Sequence, residues 1–271
     1  MIRRSKSALL TTATWVLVLM FFFPVAWMFL NAFKPEGVAA SIPPAFVFTP
    51  TLEAFGRLAD RGMVAYMLNS AVVSIGSTLF VIALAVPAAY ALSIRPVKKV
   101  QDTLFYFIST RFMPVAAVIL PLYMIFKAVG MLDTVGALFL VYTAANLPIA
   151  VWMMRSFLSE VPYEVIEAAR VDGAGFVKEL TRVVLPMVLP GVAAAGLICF
   201  IFAWNEYFMA TLLTSAAART TPPFLASFVD GRGQFLAVLS AAAAVSALPV
   251  IIAGWLAQKQ LVRGLAMGAI K

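Results

Sequence analysis

The sequence predicts an all-α integral membrane protein with six transmembrane helices. Of its 271 residues, 63% are hydrophobic and 12% are charged, whereas a soluble domain carries about 25% charged residues. The mean hydropathy is +0.99, so most of the surface must face something other than water. Long stretches without charge are spread along the whole chain, and we therefore treat residues 1–271 as a single transmembrane domain.

A helix needs about 20 mostly apolar residues to cross the hydrocarbon core. Stretches of this kind place the predicted spans at about residues 8–30, 69–92, 103–126, 134–154, 187–213 and 234–258. The first is too long for a signal-peptide core and is expected to be retained. Arg111 interrupts the third span and is long enough to reach the lipid headgroups, and the fifth span contains Glu206.

The basic residues give the predicted orientation. The two termini and the loops after the second and fourth spans hold 13 Lys and Arg residues, whereas the remaining loops hold six. Arg111 lies inside a predicted span and belongs to neither group. Because cytoplasmic loops retain Lys and Arg, we expect both termini to be cytoplasmic in a bacterial inner membrane. The net charge of +8 is then explained by these loops and the surrounding lipid, and no nucleic-acid partner is expected.

Several kinds of chemistry are disfavoured by composition. The chain has no histidine and one cysteine, Cys199, so neither a disulfide, a metal site nor a histidine base is expected. Glu206 is the only acid inside a predicted span, and one carboxylate is rarely enough for an active site. No phosphate-binding loop of the Gly-x-x-x-x-Gly-Lys-Ser/Thr type is present, so we expect a non-catalytic chain without a bound cofactor.

The loop between the fourth and fifth spans, residues 155–186, differs from its surroundings in its density of charge. Pro162 and the acids near it favour the start of a helix. The following residues, 163–171, are compatible with a helix, and Ala168 and Ala169 leave part of its surface smooth. Gly173 can adopt the positive φ that ends a helix. The loop therefore predicts a short helix, about 162–172, followed by a turn and an amphipathic return segment ending at Pro186.

The spacing within this loop resembles that of the ABC importer permeases. Glu167-Ala168-Ala169, then Gly173 after three residues, then Val183-Val184-Leu185-Pro186 after nine more, is similar to the EAA loop of that family, with Val183 where the family prefers Ile. The resemblance implies that the loop is a cytoplasmic coupling helix that docks on an ATPase. The coupling residues it implies are Glu164, Glu167, Ala168, Ala169, Asp172, Gly173, Val183, Leu185 and Pro186.

Further motifs resemble the carbohydrate-uptake members of the family, and within them the six-span subunit of the maltose system. They are Thr110-Arg111-Phe112-Met113-Pro114, Gly130-Met131-Leu132-Asp133-Thr134, Phe202-Ala203-Trp204-Asn205-Glu206 and Leu261-Val262-Arg263-Gly264-Leu265. The resemblance implies a permease subunit that forms half of the path for a sugar, polyol or glycoside. It also implies as partners a second, homologous permease subunit in a heterodimer, two ATPase subunits that bind ATP and Mg²⁺, and an extracytoplasmic solute-binding protein.

Candidate residues of a translocation path are Asn146, Trp204, Asn205 and Glu206, because sugars are held by hydrogen bonds and by aromatic faces. Glu206 is equally compatible with packing against a partner subunit near the external interface. An importer permease for a non-carbohydrate solute is the alternative function. The loop 155–186 could instead lie on anionic lipid, but that arrangement favours a basic polar face, whereas residues 160–172 hold four acids and one base.

Overall fold

The computed structural model describes residues 2–95, 97–229 and 235–268, with side chains for 10–95, 97–229 and 235–260. Over these ranges the chain forms helices and loops, without a β-strand. In chain order the helices are α1 (Ile2–Asn31), α2 (Glu36–Ala39), α3 (Glu53–Asp60), α4 (Met63–Ile94), α5 (Val100–Arg111), α6 (Val115–Ala128), α7 (Val135–Leu158), α8 (Tyr163–Val171), α9 (Phe176–Lys178), a π-helical turn (Glu179–Val184), α10 (Leu185–Met187), α11 (Leu189–Trp204), α12 (Phe208–Leu213), α13 (Thr221–Ala226) and α14 (Leu236–Gly268).

Four of these helices, α1, α4, α7 and α14, are each long and apolar enough to cross a membrane. Two further stretches pass the same test only as bent pairs: α5 with α6, bent by 85°, and the segment Phe176–Met187 with α11, bent by 81°. The described residues therefore provide four to six spans. The predicted all-α membrane class is confirmed.

Prolines lie at both bends. Proline has no N–H to donate to the preceding turn and disfavours a helical conformation in the residue before it. Pro114 directly precedes α6, so the third predicted span, 103–126, is not one straight helix. Pro186 and Pro190 flank the second bend, at Val188.

The fifth predicted span, 187–213, is also divided at its other end. Its helix α11 ends at Trp204, and α12 begins only at Phe208. The predicted span is therefore not one continuous helix, and Glu206 belongs to the short connection between α11 and α12. The fourth span is longer than predicted, because α7 continues to Leu158.

The chain divides into two compact units. The first consists of Met1–Ala65 and Phe224–Leu248, and the second of Tyr66–Pro223 and Pro249–Lys271. In the first unit, residues 10–25 of α1 are exposed, so the chain itself does not bury this apolar stretch. The Glu36 carboxylate accepts hydrogen bonds from the backbone N–H groups of Ala237 (2.7 Å) and Val238 (3.3 Å). It thereby pairs donors in the first turn of α14 that have no partner within the helix.

Lys34 is a buried cation in the first unit. Its side chain is 1% exposed, and its ammonium nitrogen lies 3.9 Å from the centroid of the Trp27 ring. Burial lowers the pKa of Lys34 below its ordinary value, because an apolar surrounding disfavours the charged form. The aromatic face compensates part of that cost through a cation–π contact.

The second unit contains two apolar clusters along α7. The first joins α4 residues from Val81 to Tyr90 with the C-terminal half of α7, with Ile166 of α8 and with α11. The second joins the N-terminal half of α7 with α6, with the end of α11 and with α12. The short helix α8 is therefore attached to the ends of the spans through the first cluster.

Asp133 fixes the loop that follows α12. Its carboxylate accepts hydrogen bonds from four successive backbone N–H groups, those of residues 215–218, at 3.0 to 3.2 Å, and from the Ser215 hydroxyl at 2.9 Å. Burial alone would raise the pKa of Asp133, but these donors outweigh it and hold that pKa well below its ordinary value. Asn69 and Ser70 of α4 bind the same loop at Ala217, Arg219 and Thr221. The loop 214–221 is thus held by side chains of α4 and by Asp133.

The crossing of α7 and α11 depends on a glycine. A Cβ atom at Gly191 would lie 2.8 Å from Phe157 Cβ and 2.5 Å from Phe157 Cδ2. Phe157 Cβ is fixed by the α7 backbone, so a new methyl group cannot be accommodated by rotating the ring. The helices approach this closely because Gly191 has no side chain.

We therefore expect Gly191→Ala to destabilise the protein by about 1–3 kcal/mol through overpacking. The matched control is Gly196→Ala in the same helix, where the nearest atom is Ile82 Cγ1 at 3.9 Å. That change should be neutral or stabilising by about 0.5–1 kcal/mol, since alanine favours a helix. Thermal unfolding of the purified proteins in detergent measures both effects. Equal transition temperatures for the two variants would contradict this account of the helix crossing.

Candidate functional site

The loop between the fourth and fifth spans carries the candidate site, and α8 is its centre. Ile166, 1% exposed, packs into the apolar cluster at the ends of α4, α7 and α11. On the opposite side Glu164, Glu167 and Ala168 are exposed, and Ala169 is half-buried. One side of α8 is thus anchored, and the other offers two acids beside a small residue. An exposed surface of this kind suits contact with another protein.

The end of α8 has the geometry that the sequence predicts. Gly173 has a φ of +74°; its N–H donates to the Arg170 carbonyl (3.0 Å), and the Ala174 N–H donates to the Ala169 carbonyl (2.9 Å). This pair of bonds is a Schellman motif, which requires a left-handed residue after the helix. A Cβ at Gly173 would meet no atom within 4 Å, so the requirement for glycine comes from the backbone conformation alone. Asp172 lies in the same turn and is exposed.

A buried carboxylate lies directly behind α8. Glu179, at the start of the π-helical turn, is 0% exposed. Arg170 donates from Nε to Glu179 Oε2 (3.1 Å) and from one terminal nitrogen to Oε1 (3.2 Å). The Tyr90 hydroxyl donates to Oε1, and a terminal nitrogen of Arg95 lies 3.6 Å from Oε2. We call Tyr90, Arg95, Arg170 and Glu179 the Glu179 cluster.

Cationic and aromatic groups surround the buried carboxylate of this cluster. The hydrogen bonds to Glu179 raise the pKa of Arg170 above its ordinary value. The Arg95 guanidinium lies 5.6 Å from the centroid of the Tyr90 ring and 5.9 Å from that of Phe176. Two cations and a phenol therefore surround one carboxylate, which is the pairing that a buried acid requires.

The remaining predicted coupling residues follow on the return segment. Val183 and Leu185 are half-buried, and Leu185 packs against the same apolar cluster as Ile166. Pro186 is exposed in α10. Val183 and Leu185 therefore lie on the segment that connects α8 to α11, and Pro186 lies just before the bend into α11.

The four candidate path residues lie at the other end of α11 and in α7. Asn146 is buried in α7, Trp204 is the buried last residue of α11, and Asn205 is exposed and donates to the Ile201 carbonyl at 2.9 Å. The Glu206 carboxylate accepts hydrogen bonds from the N–H groups of Phe208, Met209 and Ala210 at 3.0 to 3.1 Å. Glu206 therefore stabilises the start of α12.

Arg111, which the sequence predicts to be long enough to reach the lipid headgroups, also contacts two other helices. It ends α5, donates to the Ala145 carbonyl of α7 at 2.8 Å, and lies 5.0 Å from the centroid of the Phe202 ring of α11. It thus links three helices at the bend between α5 and α6.

Sequence reasoning missed the Glu179 cluster. Glu179 is one of several charges in a charged loop, and its partner Tyr90 is 89 positions away. The available signal was Arg170, the only base among the acids of residues 160–172, whose position in α8 calls for a nearby acid.

The chain is similar to known transport proteins over most of its length. Residues 81–265 match the family described as "Binding-protein-dependent transport system inner membrane component", a range that includes α8, the Glu179 cluster and the bend into α11. The chain is 37% identical over 270 residues to the probable ABC transporter permease protein y4oR of Sinorhizobium fredii, covering 99% of this chain and 97% of that protein. It is 30% identical over 271 residues to the trehalose/maltose transport system permease protein MalG of Thermococcus litoralis, covering 98% and 97%.

A solved structure shares the fold. A chain of a bacterial ABC transporter involved in the import of the acidic polysaccharide alginate superposes with a TM-score of 0.77 at 22% identity, covering 95% of this chain and 97% of that one. At this identity the similarity shows the fold alone. The family match and the full-length relatives assign the chain: it belongs to the inner membrane components of binding-protein-dependent transport systems, the multi-pass permease subunits of ABC transporters.

Proposed function

We propose that this chain forms half of the translocation path for a sugar or a related polyol or glycoside, in a binding-protein-dependent ABC importer. The observation that carries the proposal is the full-length similarity to a permease of a trehalose/maltose transport system. The second half of the path would come from a homologous permease subunit, and the solute from an extracytoplasmic binding protein.

The energy would come from two cytoplasmic ATPase subunits that dock on α8. Two features of α8 support this. Its exposed surface carries the acids Glu164 and Glu167 and the small residue Ala168, which a docking partner would contact. On the opposite side, Ile166 is buried and anchors the helix. Small residues allow close approach of another chain, and a helix held against the ends of the spans can pass a displacement to them. ATP and Mg²⁺ would bind to the partner and not to this chain.

The proposed topology has six spans, with each bent pair counted as one, and both termini and the loop 155–186 in the cytoplasm. The excess of Lys and Arg in these segments supports this orientation. It leaves the loop 32–62 and the loop 214–221 on the external side, where the binding protein would dock.

The solute class is tested by uptake. Cells lacking the gene are compared with cells carrying it for uptake of radiolabelled trehalose, maltose and an alginate oligosaccharide, with glutamate and phosphate as non-carbohydrate probes. We expect cells lacking the gene to lose uptake of at least one of the three carbohydrates, and the native gene to restore it. Uptake of glutamate and phosphate should be unchanged. Loss of glutamate or phosphate uptake with unchanged carbohydrate uptake would instead support the alternative, a permease for a non-carbohydrate solute.

The orientation is tested by labelling single cysteines in intact cells with a membrane-impermeant maleimide. Cys199 is buried and is replaced by serine. Val47→Cys, at a site 94% exposed in the loop after α1, should be labelled from outside. Ser159→Cys, exposed just before α8, should be labelled only after the cells are opened. The reverse pattern would place α8 outside and exclude docking of a cytoplasmic ATPase.

The coupling role of α8 is tested at the turn that follows it. Gly173→Val forces a β-branched residue into a φ of +74°, at a cost of about 1–3 kcal/mol, and should misdirect α8. The matched control is Gly175→Val, where φ is −70° and a Cβ would likewise meet no atom within 4 Å. Both variants should insert into the membrane.

Co-purification of the ATPase with each tagged subunit measures docking. We expect recovery of the ATPase to fall for Gly173→Val by roughly 5- to 150-fold, the range that corresponds to that cost, and to stay at the native level for Gly175→Val. Native recovery with Gly173→Val would show that this turn does not position a docking helix.

A further inference from the structure

The buried acid behind α8 connects segments that are far apart in the sequence. Arg170 belongs to α8, Tyr90 lies in the last turns of α4, Arg95 lies just after α4, and Glu179 begins the segment that leads to α11. The side chains of Tyr90, Arg95 and Arg170 all contact the two carboxylate oxygens of Glu179. The Glu179 carboxylate is therefore the point at which α8 is joined by polar contacts to α4.

These contacts are directional, unlike the apolar packing beside them. Ile166 holds α8 against the cluster of Met154, Leu158 and Val184, and apolar contacts of this type tolerate small sliding movements. Arg170, by contrast, donates two hydrogen bonds from a planar group to both carboxylate oxygens, which fixes both the distance and the angle. Because Glu179 is fully buried, water cannot replace a donor that moves away. A displacement of α8 therefore has to carry the cluster with it or leave a buried charge unpaired.

The backbone around Glu179 supports a role for this residue in positioning α8 relative to the membrane spans. Glu179 opens a π-helical turn, in which hydrogen bonds run from residue i to i+5 and the helix is wider than usual, a feature that is often found at functional sites. The turn is followed by the bend of 81° into α11. Glu179 thus lies where the chain changes direction between α8 and a membrane span.

We propose that Glu179 is a positioning residue that joins α8 to the end of α4, so that a displacement of α8 by the ATPase moves α4 with it. The proposal rests on the function proposed above, in which α8 is the docking helix. It adds that the movement reaches the membrane through α4 by a charged contact, in addition to the direct continuation of the chain into α11.

The test measures the distance between α8 and α4 in two states of the full complex. Spin labels are attached to cysteines at Val171, 88% exposed at the end of α8, and at Val97, 42% exposed just after α4, with Cys199 replaced by serine. Pulsed electron paramagnetic resonance gives the distance distribution without nucleotide and after trapping with MgATP and vanadate. In the native background we expect the same distribution in both states, because the two helices move together.

Glu179→Gln keeps the shape of the side chain and removes its charge. We expect this variant to bind the ATPase at the native level, while the distance distribution shifts or broadens when MgATP and vanadate are added. The matched control is Glu160→Gln, the same change at an exposed acid in the same loop, which should behave as the native protein does. A native distribution that itself shifts between the states, or a Glu179→Gln distribution that does not, would overturn the proposal.

Two further outcomes are separated by co-purification. Loss of the ATPase from Glu179→Gln, at a native amount of subunit in the membrane, would assign Glu179 to docking and overturn the proposal while leaving α8 as the docking helix. Retention of the ATPase by Gly173→Val would instead contradict the proposed docking of the ATPase on α8. If Glu179→Gln does not reach the membrane, Tyr90→Phe, which removes one hydrogen bond and keeps the ring, decides the question. A state-dependent shift with Tyr90→Phe supports the proposal, and a native distribution overturns it.

Discussion

Unpaired backbone N–H groups at the starts of helices and in tight loops constrain much of this structure. In an apolar surrounding such a group costs several kcal/mol when it has no acceptor. The chain uses acidic side chains as these acceptors at three places: Glu36 at the start of α14, Glu206 at the start of α12, and Asp133 on the loop after α12. With 12 acids in the sequence, this is a substantial share. Each of these carboxylates fixes the place where a helix or loop begins.

The Glu179 carboxylate also accepts hydrogen bonds, but from side chains of other segments. Its partners are two guanidinium groups and a phenol rather than backbone N–H groups, so it joins side chains of separate segments instead of ending one. A pair of this kind adds little net stability compared with apolar packing, because both charges have to be desolvated. Its value lies in fixing geometry, which is what a segment between a docking helix and the membrane spans requires.

The sequence predicts those parts of the fold that depend on local patterns. Composition and uncharged stretches are sufficient for the membrane class and for the approximate spans, and the α8 helix with its turn at Gly173 follows from the order of Pro162, the acids and the glycine. Pro114 favours a kink between α5 and α6, but apolar residues continue on both sides of it, so hydropathy does not show that the bend is as large as 85°. Hydropathy likewise does not show that α11 ends at Trp204, so the break at Glu206 does not follow from the sequence.

Contacts between distant segments were beyond the reach of spacing arguments. Nothing in the pattern around Tyr90 indicates a partner at Glu179, and nothing around Asp133 indicates that it binds residues 215–218. The sequence does identify the loop that contains the coupling residues, because that loop differs from its neighbours in charge. It does not identify how the loop is attached to the rest of the protein, since that attachment depends on tertiary geometry.

The π-helical turn at Glu179–Val184 makes this attachment tolerant of a change in chain length. A π-helical turn contains about one residue more than the α-helical turn that would occupy the same place. Deleting a single residue after Glu179 within this turn would let the backbone return to ordinary α-helical pairing, and the segments on either side would keep their relative orientation. The same deletion in a regular α-helix would rotate the flanking segments by about 100° relative to each other. Relatives or variants that lack one residue in this turn can therefore keep both the helices and the contact of Glu179 with Tyr90 and Arg95.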